Sequence, residues 1–319
     1  MSDFSEIKSS LDAQVINVER YRKKKFTLYI FLFIFYLFLL SLPAIASYYF
    51  PKWMIGFLIT YVVILPIFYY FLKAKRKRLN YQAFAAEQLL KPLVKKTRST
   101  LKIKTGTQLT NESSMPEIWE SKLFPILENM GDYTYVEQRN RISEAVSSSH
   151  LEFSQIDISK EEYSRGNSWA GKHLSRSMFF CIENKGWNFE DFYLLPRKGG
   201  LFGNTTSHAY MKKIERADHA KFANRFDFYG SPNTLDTFIK STVNPIKEIS
   251  DRWNSEIRLR AHNENIHINI TLNDASFLQP KLFKNLNRSN ELERIYKNLL
   301  TCLELVSVVN EIKYVDKKS

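Results

Sequence analysis

The chain contains 319 residues, of which 44% are hydrophobic and 14% aromatic, and it has a formal net charge of +13. This composition supports a folded core and excludes a largely disordered chain. The charge is concentrated near the amino terminus, because residues 101–319 carry 30 basic and 28 acidic side chains. A nucleic-acid-binding domain carries its basic residues on a folded face, so we expect no nucleic-acid partner.

Residues 1–25 are predicted to form a cytoplasmic amphipathic helix. Apolar side chains recur at helical spacing in this segment, including Ile7, Leu11 and Val15. The segment ends in the basic run RYRKKK, which we expect to lie at a membrane surface. The basic residues assigned to that surface are Arg22, Lys23, Lys24 and Lys25.

Two long uncharged runs follow this helix. Residues 26–50 and residues 53–72 contain no charged side chain, and Lys52 stands alone between them. Runs of 25 and 20 residues reach the length of about 20 residues that a helix needs to cross the bilayer core. The sequence therefore predicts a two-span transmembrane helical hairpin over residues 26–72.

A second basic run, KAKRKR, follows the second predicted span. Because basic flanks mark the cytoplasmic ends of spans, the two runs predict a two-pass inner-membrane protein with both termini in the cytoplasm. They also predict contact with anionic lipid headgroups. A cleaved signal peptide is the alternative, since AIAS at residues 44–47 has a small-x-small pattern, but the apolar run is longer than a signal peptide requires. The basic residues of the second run are Lys73, Lys75, Arg76, Lys77 and Arg78.

Residues 73–120 are predicted to form a basic juxtamembrane helix and a connection. The helix extends to about Pro92, and the polar stretch after residue 99 indicates either a connection or an edge strand. Counting outward from residue 50 places Leu11 opposite Leu89, so the N-terminal helix and this one are candidates for an αα-hairpin stalk. The alternative is an N-terminal helix that lies flat on the membrane.

Residues 121–319 are predicted to form a cytoplasmic α+β domain in which helices pack on an antiparallel sheet. The segments MFFCIE, DFYLLPR and KFANRFDFYG indicate strands, and Ser231 followed by Pro232 marks the start of a helix that extends to Trp253. Alternating apolar residues from Ile257 to Leu272 predict a β-hairpin with its turn at residues 263–265. A long amphipathic helix then closes the domain.

The predicted hairpin carries two histidines near its turn. Ile268 and Ile270 are assigned to its buried face, so His262 and His267 are expected to face each other on the polar face. Two imidazoles can begin a zinc site, but no third ligand is evident nearby. We therefore expect a solvated hairpin tip with no metal, in which His267 is exposed.

Several of these segments resemble a bacterial membrane family known only as domain of unknown function 3137. The resemblance rests on the two N-terminal spans, on SKLF at residues 121–124, on KFANRFDFYGSP leading into a helix, and on IHINITLNDASFLQPKLFKNL before a closing helix. It is concentrated from about Ser121 to Ile312. It implies a bacterial, membrane-anchored protein with a cytoplasmic α+β domain, and it brings no established activity and no catalytic residues.

Known catalytic and cofactor motifs give little support for an enzyme. GNSWAGKH, residues 166–173, has the spacing of a phosphate-binding loop, but His173 stands where that loop needs Ser or Thr, so we expect an ordinary turn. The sequence contains no nucleophile elbow, zinc-binding helix or C-x-x-C pair. We expect no catalytic residue and no cofactor. In the glycine-rich loop KGGLFGN, Leu201 and Phe202 are candidates for contact with a partner, or fold back onto the core.

These features predict a membrane-anchored cytoplasmic binding or sensing module that acts through contacts with another protein at the inner membrane. The spans contain no Asp, Glu, Lys, Arg or His, the residues that usually mark an ion or proton pathway, so anchorage is their expected role. The alternative function is a membrane-tethered enzyme, such as a hydrolase, whose site is assembled from dispersed residues.

Overall fold

A computed structural model of the chain describes residues 4–49, 69, 81–110, 114–124, 127, 134–146, 149–164, 168–197, 213–214, 226–273, 277–286 and 290–312. The chain divides into two compact units. One unit contains residues 1–93 with 279–294, and the other contains residues 94–278 with 295–319.

The larger unit is built on an eight-stranded sheet in which all the neighbouring strands are antiparallel. Their order across the sheet is β1-β2-β3-β4-β8-β7-β5-β6. β1 lies at one edge, so the polar stretch after residue 99 contains the edge strand that was one of its two predicted alternatives. The strands are β1 Lys102–Thr110, β2 Thr134–Val146, β3 Ser149–Ser164, β4 Ser168–Asn184, β5 Phe189–Pro196, β6 Phe226–Gly230, β7 Ile257–Asn263 and β8 Asn265–Thr271.

The predicted hairpin is confirmed as β7 and β8. Its turn contains Asn263, which has a φ of 51°, a left-handed conformation that asparagine tolerates better than most residues. Arg260 pairs with His267 and His262 pairs with Asn265, so the two histidines lie diagonally and are not directly opposite each other. Of the three segments predicted as single strands, MFFCIE lies within β4, DFYLLP lies within β5 and FDFYG forms β6, while residues 221–225 lie outside the described residues.

Strands β2 and β3 were not predicted, because they do not alternate cleanly between apolar and polar residues. Phe153, Ile156 and Ile158 are buried, but so are Gln155 and Asp157 between them. Both faces of β3 are covered along this stretch, so its buried positions are consecutive. A register shift between Arg139 and Ile142 in β2 interrupts the pattern further.

The sheet has two apolar faces. Because directly paired residues share a face, Phe179 with Asn269 and Cys181 with His267 lie on one face, and Phe180 with Ile268 lies on the other. The first face is covered by a segment that includes the short helix Pro116–Glu120 and that we name the 115–127 segment. Its buried apolar residues are Met115, Ile118, Leu123, Phe124 and Leu127, and they pack in one cluster with side chains from β2, β3, β4, β5 and β6.

Two helices replace the single helix predicted from Pro232 to Trp253. Thr242 lies between them with φ −120°, outside the helical region. Pro245 occupies the first turn of the second helix, where its missing N–H is not needed, whereas in one continuous helix it would interrupt the hydrogen-bond ladder. The helices of this part of the chain are α5 Pro116–Glu120, α6 Pro232–Ser241, α7 Val243–Trp253 and α8 Glu291–Asn310.

The smaller unit is helical. Its long helix α2 contacts α3 and the π-helical turn that follows it, and Tyr21 stacks on Phe84 with ring centroids 4.4 Å apart. Leu11 and Leu89 are both buried, which agrees with the αα-hairpin alternative. The elements are α1 Phe4–Ser9, α2 Asp12–Tyr49, α3 Tyr81–Ala85, the π-helical turn Ala86–Leu90 and α4 Lys91–Thr97.

The predicted two-span transmembrane hairpin is contradicted. In the described ranges, no helix combines the length and the apolar character that crossing a membrane requires. The predicted amphipathic helix is divided between α1 and the start of α2, and α2 continues without a break through the first span to Tyr49. The second span lies outside the described residues except for Tyr69. The transmembrane fold, the two-pass topology and the inner-membrane location with cytoplasmic termini are overturned together, because all three predictions depended on the same two uncharged runs.

Candidate functional site

A polar cluster beneath the 115–127 segment is the first candidate for a site with chemical activity. It contains Arg260 and His262 from β7, Asp191 from β5, and His267 and Asn269 from β8. Asn269 Nδ2 donates to Leu123 O at 3.2 Å, and the imidazole of His267 stacks on Phe179 at 5.8 Å. The polar face of the hairpin is therefore covered by protein.

His267 is buried, which corrects the prediction that it lies on a solvated hairpin tip. The 115–127 segment is about 140 residues away in sequence, so nothing in the local alternation indicated that it would cover this face. Burial and the neighbouring charge of Arg260 lower the pKa of His267 to about 4. The imidazole is therefore neutral at pH 7, and its Nδ1 has no hydrogen-bond partner among the described residues.

Cys181 is paired in register with His267 across β4 and β8. A thiol beside an imidazole becomes a nucleophile when the sulfur loses its proton. Burial raises the pKa of Cys181 to about 12, while that of His267 falls to about 4. Since the proton then stays on the sulfur at neutral pH, this pair lacks the charge separation that nucleophilic catalysis needs.

The guanidinium of Arg260 forms hydrogen bonds with other groups of the protein. Its Nε and Nη2 donate to the two carboxylate oxygens of Asp191 at 3.0 and 3.2 Å, and its Nη1 donates to Glu120 O. The guanidinium lies 5.2 Å from the ring centroid of Tyr193, and His262 Nδ1 lies 3.2 Å from Asp191 Oδ1. These contacts tie the 115–127 segment to the sheet, which is a structural role.

Metal and nucleotide sites find no support in the described part of the chain. No group of three or more metal-ligating side chains occurs there. Residues 168–173 of the phosphate-loop-like motif form part of β4, so the strand-loop-helix context of a phosphate-binding loop is missing.

The basic residues predicted from the sequence behave in two different ways. Arg22 is only 8% exposed, because its Nε and Nη2 bind the carboxylate of Glu19 at 2.6 to 3.0 Å and its Nη1 donates to Leu282 O at 3.1 Å. Lys23 and Lys24 are exposed and Lys25 is half-buried. The residues of the second basic run, Lys73, Lys75, Arg76, Lys77 and Arg78, and the loop residues Leu201 and Phe202 lie outside the described residues.

Glu19 is a buried acid that the sequence reasoning did not single out. Burial alone would raise its pKa, but hydrogen bonds from Arg22 and from the Leu286 N–H at 3.2 Å outweigh that effect and lower it. Residues 279–286, which we name the strap, are thus held against α2 at two points. The contacts fix the strap beside the last charged turn of the helix.

The second candidate is the apolar half of α2, which we define as residues 26–49. Six large side chains in its first part are between 43% and 64% exposed. At 100° per residue they cover an arc of about 160° around the helix. Soluble proteins normally bury such a stripe. The six residues are Ile30, Phe31, Phe33, Ile34, Leu37 and Phe38.

Comparison with known proteins adds little to this geometry. No protein-family model and no curated protein matches the chain. A solved structure, that of the mycobacterial trehalose monomycolate transport factor A, is 8% identical, with 70% of this chain and 93% of that chain covered and a TM-score of 0.34. A likeness at this level carries no argument about this chain. The resemblance to the family of unknown function stays a prediction.

Proposed function

We propose that the chain is a binding module that attaches to an anionic lipid surface through the apolar half of α2. The observation that carries the proposal is the set of six exposed apolar side chains, from Ile30 to Phe38, which begins less than two helical turns after the exposed Lys23 and Lys24. The proposal concerns contact with lipid and makes no use of the two-span hairpin.

The width of the apolar surface favours lipid as its occupant. A helix that packs on one protein surface presents an apolar stripe of about 100°. The exposed arc here is wider, and Leu32 and Phe35 beyond it are also apolar and only half-buried. Removing one large apolar side chain from water stabilises the bound state by about 1.5 to 3 kcal/mol. Acyl chains can surround a helix and so cover all of its sides.

The charges at the start of this surface favour anionic headgroups. Lys23 and Lys24 are exposed and Lys25 is half-buried, and together they directly precede Phe26. Lysines that flank an apolar helical segment attract anionic lipid, by roughly 1 kcal/mol for each lysine. A neutral lipid surface would gain only the apolar part of the interaction.

The enzyme alternative has no site to support it in the described residues. The Cys181–His267 pair is neutral, and Arg260 with Asp191 is used to hold the 115–127 segment. The protein partner expected from the sequence stays a prediction. Its signature would be a stable complex that forms without lipid.

Flotation tests the proposal. The full chain is synthesised in a cell-free system with vesicles of phosphatidylcholine, with and without phosphatidylglycerol, and is centrifuged through a density gradient. We expect it to float with the anionic vesicles. Replacing Phe31, Phe33 and Ile34 with Ser should lower vesicle partition by roughly 100-fold or more, because three apolar side chains that insert among the acyl chains are lost.

Ile16→Ser is the matched control. Ile16 is 52% exposed on the first half of α2, before the basic residues, so its replacement should leave flotation unchanged. A wild-type chain that stays at the bottom of the gradient with both vesicles contradicts the proposal. So does a triple variant that floats like the wild type, or a chain that is taken up by a protein complex in the absence of lipid.

A further inference from the structure

A second element of the small unit lies beside the point where the apolar half of α2 begins. Leu282 O accepts a hydrogen bond from Arg22, and the Leu286 N–H donates to Glu19, so the strap is fixed at both of these positions. Between them, Phe283 is 75% exposed. Its position is therefore set by the fold while its side chain faces solvent.

The aromatic ring of Phe283 meets the first residue of the uncharged run. Its centroid lies 6.0 Å from that of Phe26, with the rings at 78° in an edge-on arrangement. Lys284 follows with an exposed side chain, and its Nζ is 3.7 Å from Glu291 Oε1. Two backbone hydrogen bonds and the buried side chain of Leu286 hold this part of the strap, while the Phe283 ring meets Phe26 and stays largely exposed.

We propose that Phe283 and Lys284 form, together with Phe26 and Lys23 to Lys25, an aromatic and basic belt that sets the depth at which α2 meets an anionic lipid surface. This inference rests on the proposed function. Aromatic rings and lysines are both favoured at the boundary between headgroups and acyl chains. Along α2, the belt lies where the charged first part of the helix ends and the apolar half begins.

The belt also gives the strap a role beyond packing. The lysines and Phe26 of α2 mark one level along the helix, but a single helix remains free to rotate about its own axis. A second contact point from another segment resists rotation and further entry of α2, because it adds headgroup contacts at a defined level. Phe283 is the only strongly exposed aromatic residue in the strap as described.

The test uses the full chain and the same anionic vesicles. Phe283→Ser should lower vesicle partition by roughly threefold to tenfold, as expected for the loss of one partly inserted aromatic side chain. Phe283→Trp should keep partition near that of the wild type. The difference between the tryptophan emission spectra of this variant and of the wild type should shift to the blue when vesicles are added. Lys284→Gln should reduce the preference for anionic over neutral vesicles.

Leu109→Ser is the matched control, because Leu109 is 64% exposed on strand β1 of the larger unit, whereas the strap belongs to the smaller unit. It should leave partition unchanged, and the melting temperature of Phe283→Ser should equal that of the wild type. If the wild type floats, the Phe31, Phe33 and Ile34 triple variant does not, and Phe283→Ser floats normally, the belt is wrong while the proposed function survives. If the wild type does not float, both fail.

Discussion

The β7–β8 hairpin and the apolar half of α2 end up in environments opposite to those that their sequences indicate. The hairpin alternates apolar and polar residues, as a strand pair with one solvated face does, yet His267 and Asn269 on its polar face are buried. The helix stretch from Ile30 to Phe38 contains no charged residue, yet six of its side chains are exposed.

The difference is caused by which other parts of the chain cover each element. The 115–127 segment lies over the polar face of the hairpin, and Asn269 bonds to Leu123 O there. The six apolar side chains from Ile30 to Phe38, by contrast, stay 43% to 64% exposed. Local hydropathy therefore tells which surfaces a segment would prefer to bury, and the rest of the fold decides which ones it does bury.

The largest expected effect comes from the same substitution placed in the two regions. Ile268→Asp puts an unpaired carboxylate in a fully buried position and should lower the free energy of unfolding by about 4 kcal/mol or more. Ile34→Asp replaces an exposed side chain and should change it by no more than about 0.5 kcal/mol. Denaturant unfolding of the full chain without lipid measures both.

Equal losses at the two positions would break the comparison, since Ile34 would then be covered by the fold. A small loss at Ile268 would mean that the assignment of the two hairpin faces is wrong.

A smaller effect follows from the buried imidazole. In the unfolded chain His267 takes up a proton near pH 6.5, whereas in the folded chain it does so only near pH 4. The unfolded state therefore binds more protons between these values, and the free energy of unfolding falls as the pH is lowered from about 6.5 to about 4. The full loss is about 3 kcal/mol.

His267→Phe removes this titration and keeps an aromatic ring against Phe179. Denaturant unfolding at pH 7.5 and pH 4.5 should show a shallower pH dependence in the variant than in the wild type. The carboxylates, including Glu19, titrate alike in both chains between pH 7.5 and pH 4.5, so their contributions cancel in the difference. An identical slope in the two chains would show that His267 is solvated, as the sequence first indicated.

Elements with local signals were predictable from the sequence. The hairpin, the segments predicted as β4, β5 and β6, and the last helix follow from alternation, turn residues and caps. The break at Thr242 was missed, although Pro245 carried a usable signal. Strand β3 was missed because Asp157 is buried between Arg139 and Arg176, partners that come from neighbouring strands at distances of 3.0 and 2.6 Å.

The candidate site was predictable only in part. Lys23 and Lys24 were assigned to a lipid surface and are exposed, whereas Arg22 next to them is buried in a pair with Glu19. Charge alone cannot separate these neighbours, because the distinction depends on the strap more than 250 residues later in the sequence. For Phe283, the only sequence signal of a lipid contact was weak: an aromatic residue in the lysine-flanked segment KLFK.

The central claim is that lipid covers the apolar half of α2, and a fluorophore placed there tests it most directly. An environment-sensitive maleimide is attached to an Ile34→Cys variant, and separately to Asn17→Cys, which places the label at an exposed polar position of the same helix. Burial raises the pKa of both native thiols, Cys181 and Cys302, so labelling at neutral pH favours the introduced cysteine.

Anionic vesicles should shift the emission of the label at position 34 to the blue and expose it to a quencher carried on the acyl chains, while the label at position 17 stays unchanged. Equal spectra at the two positions, with no response of the label at position 34 to vesicles, would contradict the account.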